Sequence, residues 1–166
     1  MSADHALRVI SAPAVVTEGP RTVFCSHCAK APPGGVAPEV GSRVCQSCGL
    51  GLLIEAAEAL APKPRDAFLL ADRSLAVQGL SKRAEKLLGL REIDALDKRI
   101  TDLLVPADAE AAGPHHLSAL LVEAAGGGDG ITEMVVRPAD EYGVRFAARI
   151  GSCGPSSGAL VVLDMG

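Results

Sequence analysis

The chain has 166 residues, of which 48% are hydrophobic, 22% charged and 2% aromatic, and it carries a net charge of −4. That balance excludes wholesale disorder, and no apolar run approaches the ~18 residues of a membrane-spanning helix. With no Trp, one Tyr (Tyr142) and three Phe (Phe24, Phe68, Phe146), there is almost nothing on which to stack bases, and the net charge gives no pull toward a phosphate backbone. The N-terminal stretch holds Asp4, His5 and Arg8 instead of a basic start followed by an apolar block, so a cytoplasmic location is expected.

In chain order, residues 1–20 are expected to be a flexible N-terminal segment, and Thr22-Val23-Phe24 reads as a short strand. It leads into Cys25-Ser26-His27-Cys28, which pairs with Cys45-Gln46-Ser47-Cys48 in a C-x2-C-x16-C-x2-C pattern. Two intervening residues bring both sulfurs to one side of a tight turn, at the bite that Zn–S bonds of ~2.3 Å need. The competing readings are two disulfides, disfavoured without a signal peptide, a redox centre, which needs only one such pair after a strand, and iron. Structural zinc on Cys25, Cys28, Cys45 and Cys48 is the expected cofactor, with no open position for catalysis. His27 is expected to be an exposed turn residue, because four cysteines already complete a tetrahedron.

The spacer 29–44 carries Pro32, Pro33, Gly34, Gly35, Pro38 and Gly41 and reads as a turn-rich hairpin. After Cys48-Gly49, the apolar residues Leu50, Leu53, Ala57, Leu60 and Ala61 recur at helical spacing opposite Glu55 and Glu58, which predicts a helix over 50–61. A knuckle, a hairpin and a helix whose first turn supplies two ligands resembles a treble-clef zinc finger over residues 21–61. Such a helix start would also favour thiolate over thiol. Residues 1–61 hold four bases (Arg8, Arg21, Lys30, Arg43) against five acids, without the basic cluster of a DNA-reading finger. DNA binding is therefore disfavoured against a structural or protein-contacting finger.

Ala61-Pro62-Lys63-Pro64-Arg65 stops the helix and marks a domain boundary. Beyond it, DAFLLA (66–71) reads as a strand, Asp72-Arg73-Ser74 as a turn and residues 75–80 as a second strand. Ser81 caps a helix through Leu88 that ends at Gly89; two helical turns follow at 93–96 and 100–104, and Pro106 closes the second. Pro114 begins a longer helix with Leu117, Leu120, Leu121 and Ala124 on one face, ended by Gly126-Gly127-Gly128. Three strands, 131–138, 144–150 and 158–165, complete the chain, with Cys153 in the last turn as an exposed or half-packed residue.

The stretch DAFLLADRSLAVQGLSKRAEKLLGLREIDALDKRITDLLVPAD, with its S-x-x-A-E-x-L-L-G helix and L-L-V-P ending, resembles the first half of a PAS domain. The resemblance extends to the closing GALVVLDMG and spans residues 65–166. It implies an α+β fold: a five-stranded antiparallel sheet with helices on one face, preceded here by the small zinc finger. It also implies a domain that holds a small ligand or a protein partner, commonly as a homodimer through the helix before the first strand, here 50–61. Covalent flavin chemistry is excluded, since no cysteine lies between 49 and 152. His116, with His115 beside it, stands where haem-binding members of the family carry an axial histidine, and is the candidate cofactor residue.

Catalysis finds no support in G-x-S-x-G, H-E-x-x-H or a phosphate loop, and Gly126–Gly130 follows a helix where a phosphate loop would precede one. The expected function is therefore a non-catalytic sensory or signalling protein with a zinc finger that contacts a protein partner. The alternatives are a zinc-finger regulator that binds DNA and a haem-binding sensor.

Overall fold

The computed structural model describes residues 19–36, 38, 42–108, 116–155 and 158–164. The N-terminal segment 1–18 and His115 lie outside the described residues. Strands β3 (Ala67–Ala71) and β8 (Gly158–Asp164) are buried at eleven of twelve positions, Asp164 being the half-buried exception. Side chains of a strand alternate between faces, so burial at successive positions requires that both faces of the sheet be covered.

One face is covered by helices. The chain runs from β3 through β4 (Val77–Leu80), α1 (Lys82–Leu88), α2 (Glu92–Ala95), α3 (Ile100–Leu103), β5 (Leu104–Pro106) and α4 (His116–Ala125) to β6 (Thr132–Pro138), β7 (Phe146–Gly154) and β8. Leu69 of β3, Ile150 of β7 and Val161 of β8 share one core with Leu80, Ile100, Leu117 and Leu121. Ser81 caps α1, its hydroxyl accepting from Ala84 N–H at 3.1 Å and from Phe68 N–H at 3.0 Å, and Gly89 ends the helix at φ 61°. The two strands, three short helices, longer helix and three strands expected from the sequence are all present, with β5 added between α3 and α4.

The other face is covered by the finger. Strand β1 (Arg21–Cys25) pairs with β2 (Leu53–Ala57), and β2 pairs with β7 at Glu55–Gly154 and Ala56–Cys153. Phe24, Ala29, Ala56 and Leu60 pack on Phe68, Leu70, Leu160 and Val162 in a second core. The eight strands of the described residues thus belong to one antiparallel sheet, ordered β1-β2-β7-β8-β3-β4 with β6 and then β5 branching from β7. Five of them are the strands that the PAS resemblance implies.

The helix expected over 50–61 does not form. Its backbone groups are already engaged: Leu52 C=O accepts from Ser26 N–H at 2.8 Å, Gly51 C=O from Cys45 N–H at 2.8 Å, and Leu53 N–H donates to Arg43 C=O at 2.7 Å. Residues 53–57 then pair with β1 on one side and reach β7 on the other, so tertiary pairing overrides the helical spacing of the apolar residues. The segment on which the dimer expectation rested lies within the chain's own sheet. Cys153 is likewise buried, not exposed or half-packed, because β7 continues through Gly151, Ser152 and Cys153 to pair with β8 and with β2.

A polar joint holds the finger to the sheet. The Arg149 guanidinium donates to the carbonyl of Ala59 and pairs with Asp164 at 3.2 Å and Asp66 at 3.8 Å. Gly151 leaves room for Leu60, since a Cβ there would stand 2.8 Å from the Leu60 Cδ2 atom. No helix of the described residues is long and apolar enough to cross a membrane.

Candidate metal centre

The two cysteine pairs are built as near copies. Ala29 N–H donates to Cys25 C=O at 3.0 Å, and Gly49 N–H donates to Cys45 C=O at 2.8 Å, each four residues after the first cysteine of its pair. Both donors are left-handed, at φ 60° and 68°. Glycine takes that conformation freely, whereas the alanine is held in it at a cost of about 1 kcal/mol. The first knuckle also directs the N–H groups of His27 and Cys28 at the Cys25 sulfur, at 3.3 and 3.4 Å.

Folding brings Cys25, Cys28, Cys45 and Cys48 together with all four sulfurs within 4.8 Å of one another. The Cys25–Cys48 and Cys28–Cys45 separations are 3.6 and 3.8 Å. A tetrahedron with metal–sulfur bonds of ~2.3 Å has edges of about 3.8 Å, so the sulfurs already stand at the corners such an ion requires. Cys25 and Cys45 are buried among Val23 and Leu53, while Cys28 and Cys48 are half-buried.

The protonation chemistry of Cys25, Cys28 and Cys48 bears on a cation site. Burial pushes the Cys25 thiol up to about 12 and raises Cys28 as well. At Cys48 burial acts in the same direction, but the N–H groups of Gly51 and Leu50 together with hydrogen bonds from Cys25 and Cys28 outweigh it and bring the thiol down to about 6. Four thiolates packed together need a compensating positive charge, which a bound dication supplies while the thiol protons leave.

Gly51 is a part of the site that sequence inspection missed. A Cβ at this position would fall on the Cys25 sulfur and lie 2.8 Å from both Cβ and N of His27. Only a residue without a side chain lets the second knuckle close over the first. The signal was visible as a second glycine two residues after Gly49, although nothing local said what it approached.

His27 stays outside the sulfur cluster, as expected, but it is half-buried instead of exposed, and its Nδ1 is enclosed without a hydrogen-bond partner. His116 is exposed on the first turn of α4, beside buried Leu117. Burial pushes the Cys153 thiol up to about 11, with Arg21 acting weakly against it.

No protein-family model matches the sequence, and no curated protein matches it. Among solved structures, the chain is similar to a domain of a sensory box sensor histidine kinase/response regulator from Geobacter sulfurreducens, at 13% identity and a TM-score of 0.46 over 64% of this chain and 89% of that one. It is also similar to the photoactive yellow protein domain of the sensor histidine kinase Ppr from Rhodospirillum centenum, at 12% identity and a TM-score of 0.44 over 61% and 85% of the two chains. A PAS domain from Colwellia psychrerythraea gives 21% identity and a TM-score of 0.40 over 60% and 84%.

The elements and the sulfur cluster together define an α+β protein with a PAS-like order of strands and helices. A four-cysteine finger able to hold a metal ion backs its sheet.

Proposed function

We propose that the protein is a non-catalytic signalling module. In this reading, residues 65–166 form a PAS-type sensing domain, and residues 21–61 form a zinc-held finger that contacts a protein partner. Zinc is the proposed ion because an all-sulfur, closed tetrahedral set suits it and serves folding more than catalysis.

The observation that carries the protein-contact reading is an apolar surface on the finger itself. Val44 and Leu52 form a bridge across the finger, yet they are 52% and 56% exposed, and Leu50 nearby is 75% exposed. Exposed apolar side chains grouped on one small element suit a protein interface and contribute little to a phosphate backbone. The joint through Arg149, Leu60 and the β2–β7 pairing supports transmission, because a shift at the sheet reaches the finger through packed contacts.

Cross-linking of the metal-loaded protein in extract of its own cells tests the reading. Leu52→Asp is expected to remove the specific cross-linked partners while metal content stays the same. Partners unchanged by Leu52→Asp, or tight sequence-selective binding to duplex DNA, would overturn it.

A further inference from the structure

A groove of about 380 Å³ lies between the end of α1, α3 and the turn that follows β6. Leu87, Leu88, Leu90 and Leu103 line it. All four are half-buried at the margin of the main core, so part of each side chain stays open to an incoming apolar group.

The charged residues of the wall are Lys98, Asp102, Asp140 and Glu141, three carboxylates against one ammonium. All four are exposed, and among the described residues none of them forms an ion pair. Helix α1 ends in the same wall, where Gly89 is left-handed at φ 61°, and the carbonyl end of a helix adds partial negative charge. Pro138 and Ala139 also line the groove. The Arg137 guanidinium donates to their carbonyls at 3.0 and 3.1 Å and lies over the Tyr142 ring at 4.2 Å. With Arg137 counted beside Lys98, the carboxylates still outnumber the cations by three to two.

We propose that this groove docks a short basic segment of a partner protein, with an aliphatic side chain against the leucines and lysine or arginine heads against Asp102, Asp140 and Glu141. The groove lies outside the finger, so it adds a second contact to the reading above and does not depend on it. Three features select this occupant. Unpaired carboxylates in excess repel nucleic acid and acidic peptides and attract cations. A metal ion or small amine would meet the carboxylates and leave the leucines uncovered, whereas a peptide side chain buries them. Lysine and arginine carry their charge at the end of an apolar stem, which matches carboxylates set around leucines.

The test uses the full metal-loaded chain and a short fluorescent peptide of leucines flanked by lysines, titrated by anisotropy at low salt. A twin peptide carries serine in place of each leucine. Saturable binding of the leucine peptide is expected, with the serine twin about tenfold weaker. Glu141→Lys should weaken binding about tenfold and Asp129→Lys less than about twofold. The two variants change net charge equally, and Asp129 is exposed and outside the groove, so their difference reads position. The melting temperature of each variant is measured alongside, and binding is compared only between variants that melt with the parent protein. Asp102→Asn against Asp129→Asn serves in their place if Glu141→Lys is destabilised.

Absence of peptide binding, or equal losses from Glu141→Lys and Asp129→Lys, would overturn the proposal. Equal binding of the leucine and serine peptides would also overturn it, by showing a merely electrostatic surface. So would displacement of the peptide by spermidine at matched ionic strength, by showing a small-amine site. None of these outcomes touches the Leu52→Asp cross-linking result, which reads the finger alone.

Discussion

Phe24 of the finger and Phe68 of β3 meet edge to face, with ring centroids 5.7 Å apart and planes at 86°. Two of the chain's three phenylalanines are thereby committed to joining the finger to the sheet, and both are almost fully buried. A double-mutant cycle with Phe24→Leu and Phe68→Leu is expected to show a coupling of about 1 kcal/mol beyond the loss of buried area. Strictly additive losses in urea unfolding would show that the two rings act independently.

Metal content follows directly from the sulfur geometry. Purified protein is expected to hold one zinc ion per chain, and a strong chelator should release it with appearance of four reactive thiols. Loss of the ion should uncover Leu70, Leu160 and Val162, so a dye that binds apolar surface should brighten while amides of β7 and β8 retain partial protection. Four freely titrating thiols in folded, untreated protein would contradict the site.

Two neighbouring glycines should respond differently to the same change. Gly51→Ala is expected to abolish stoichiometric metal binding, because its methyl group would collide with the Cys25 sulfur. Gly49→Ala meets open space and carries only the left-handed backbone penalty, so it should cost about 1 kcal/mol and keep the ion. Equal metal content in the two variants would refute the close approach of Gly51.

Arg149→Met keeps much of the side-chain bulk and removes the links to Ala59, Asp66 and Asp164. The expected cost is about 2 kcal/mol, since a half-buried charged donor and its partners lose hydrogen bonds together. Hydrogen exchange should quicken at residues 53–61 before it changes in α4. Uniform acceleration across the sheet would mean that Arg149 supports the whole fold and not this joint.

Acid should loosen the β3–β4 turn before the metal centre is considered. The Asp72 carboxylate accepts from the Ser74 hydroxyl at 2.7 Å and its N–H at 2.8 Å, from Ala76 N–H at 3.1 Å and from Gln78 at 2.9 Å. These bonds, that from the Ser74 hydroxyl foremost, hold its pKa below the ordinary carboxylate value. Its contribution to stability is full above about pH 4 and is lost as pH falls further, through the lowered folded-state value. Asp72→Asn should therefore flatten this part of the pH profile, and an unchanged profile below pH 4 would assign it to other groups.

How far the sequence revealed the fold depended on whether the signal was local. The cysteine spacing, the Ser81 cap, Gly89 and the apolar face of α4 rest on neighbours within a turn or two, and each appears as expected. The 50–61 segment misled because Leu53 and Leu60 serve two different cores, the first beside the cysteines and the second, with Ala57 and Ala61 against it, on the sheet. A spacing that fits one helical face was produced by two strand contacts and a turn. The unbroken apolar run of β3 did hold a clue to the second cover, since a strand with one wet face alternates.

The joint between Arg149 and Ala59 spans 90 positions of chain. On the ribosome the finger emerges before β7 and β8, the strands it must cover. The cysteines can come together while the surface they will shield does not yet exist. Synthesis thus leaves Phe24, Ala56 and Leu60 waiting, and completion of the β7–β8 hairpin becomes the event that withdraws them from solvent. A nascent chain halted before residue 146 would keep that apolar strip open to chaperones however well its cysteines had gathered.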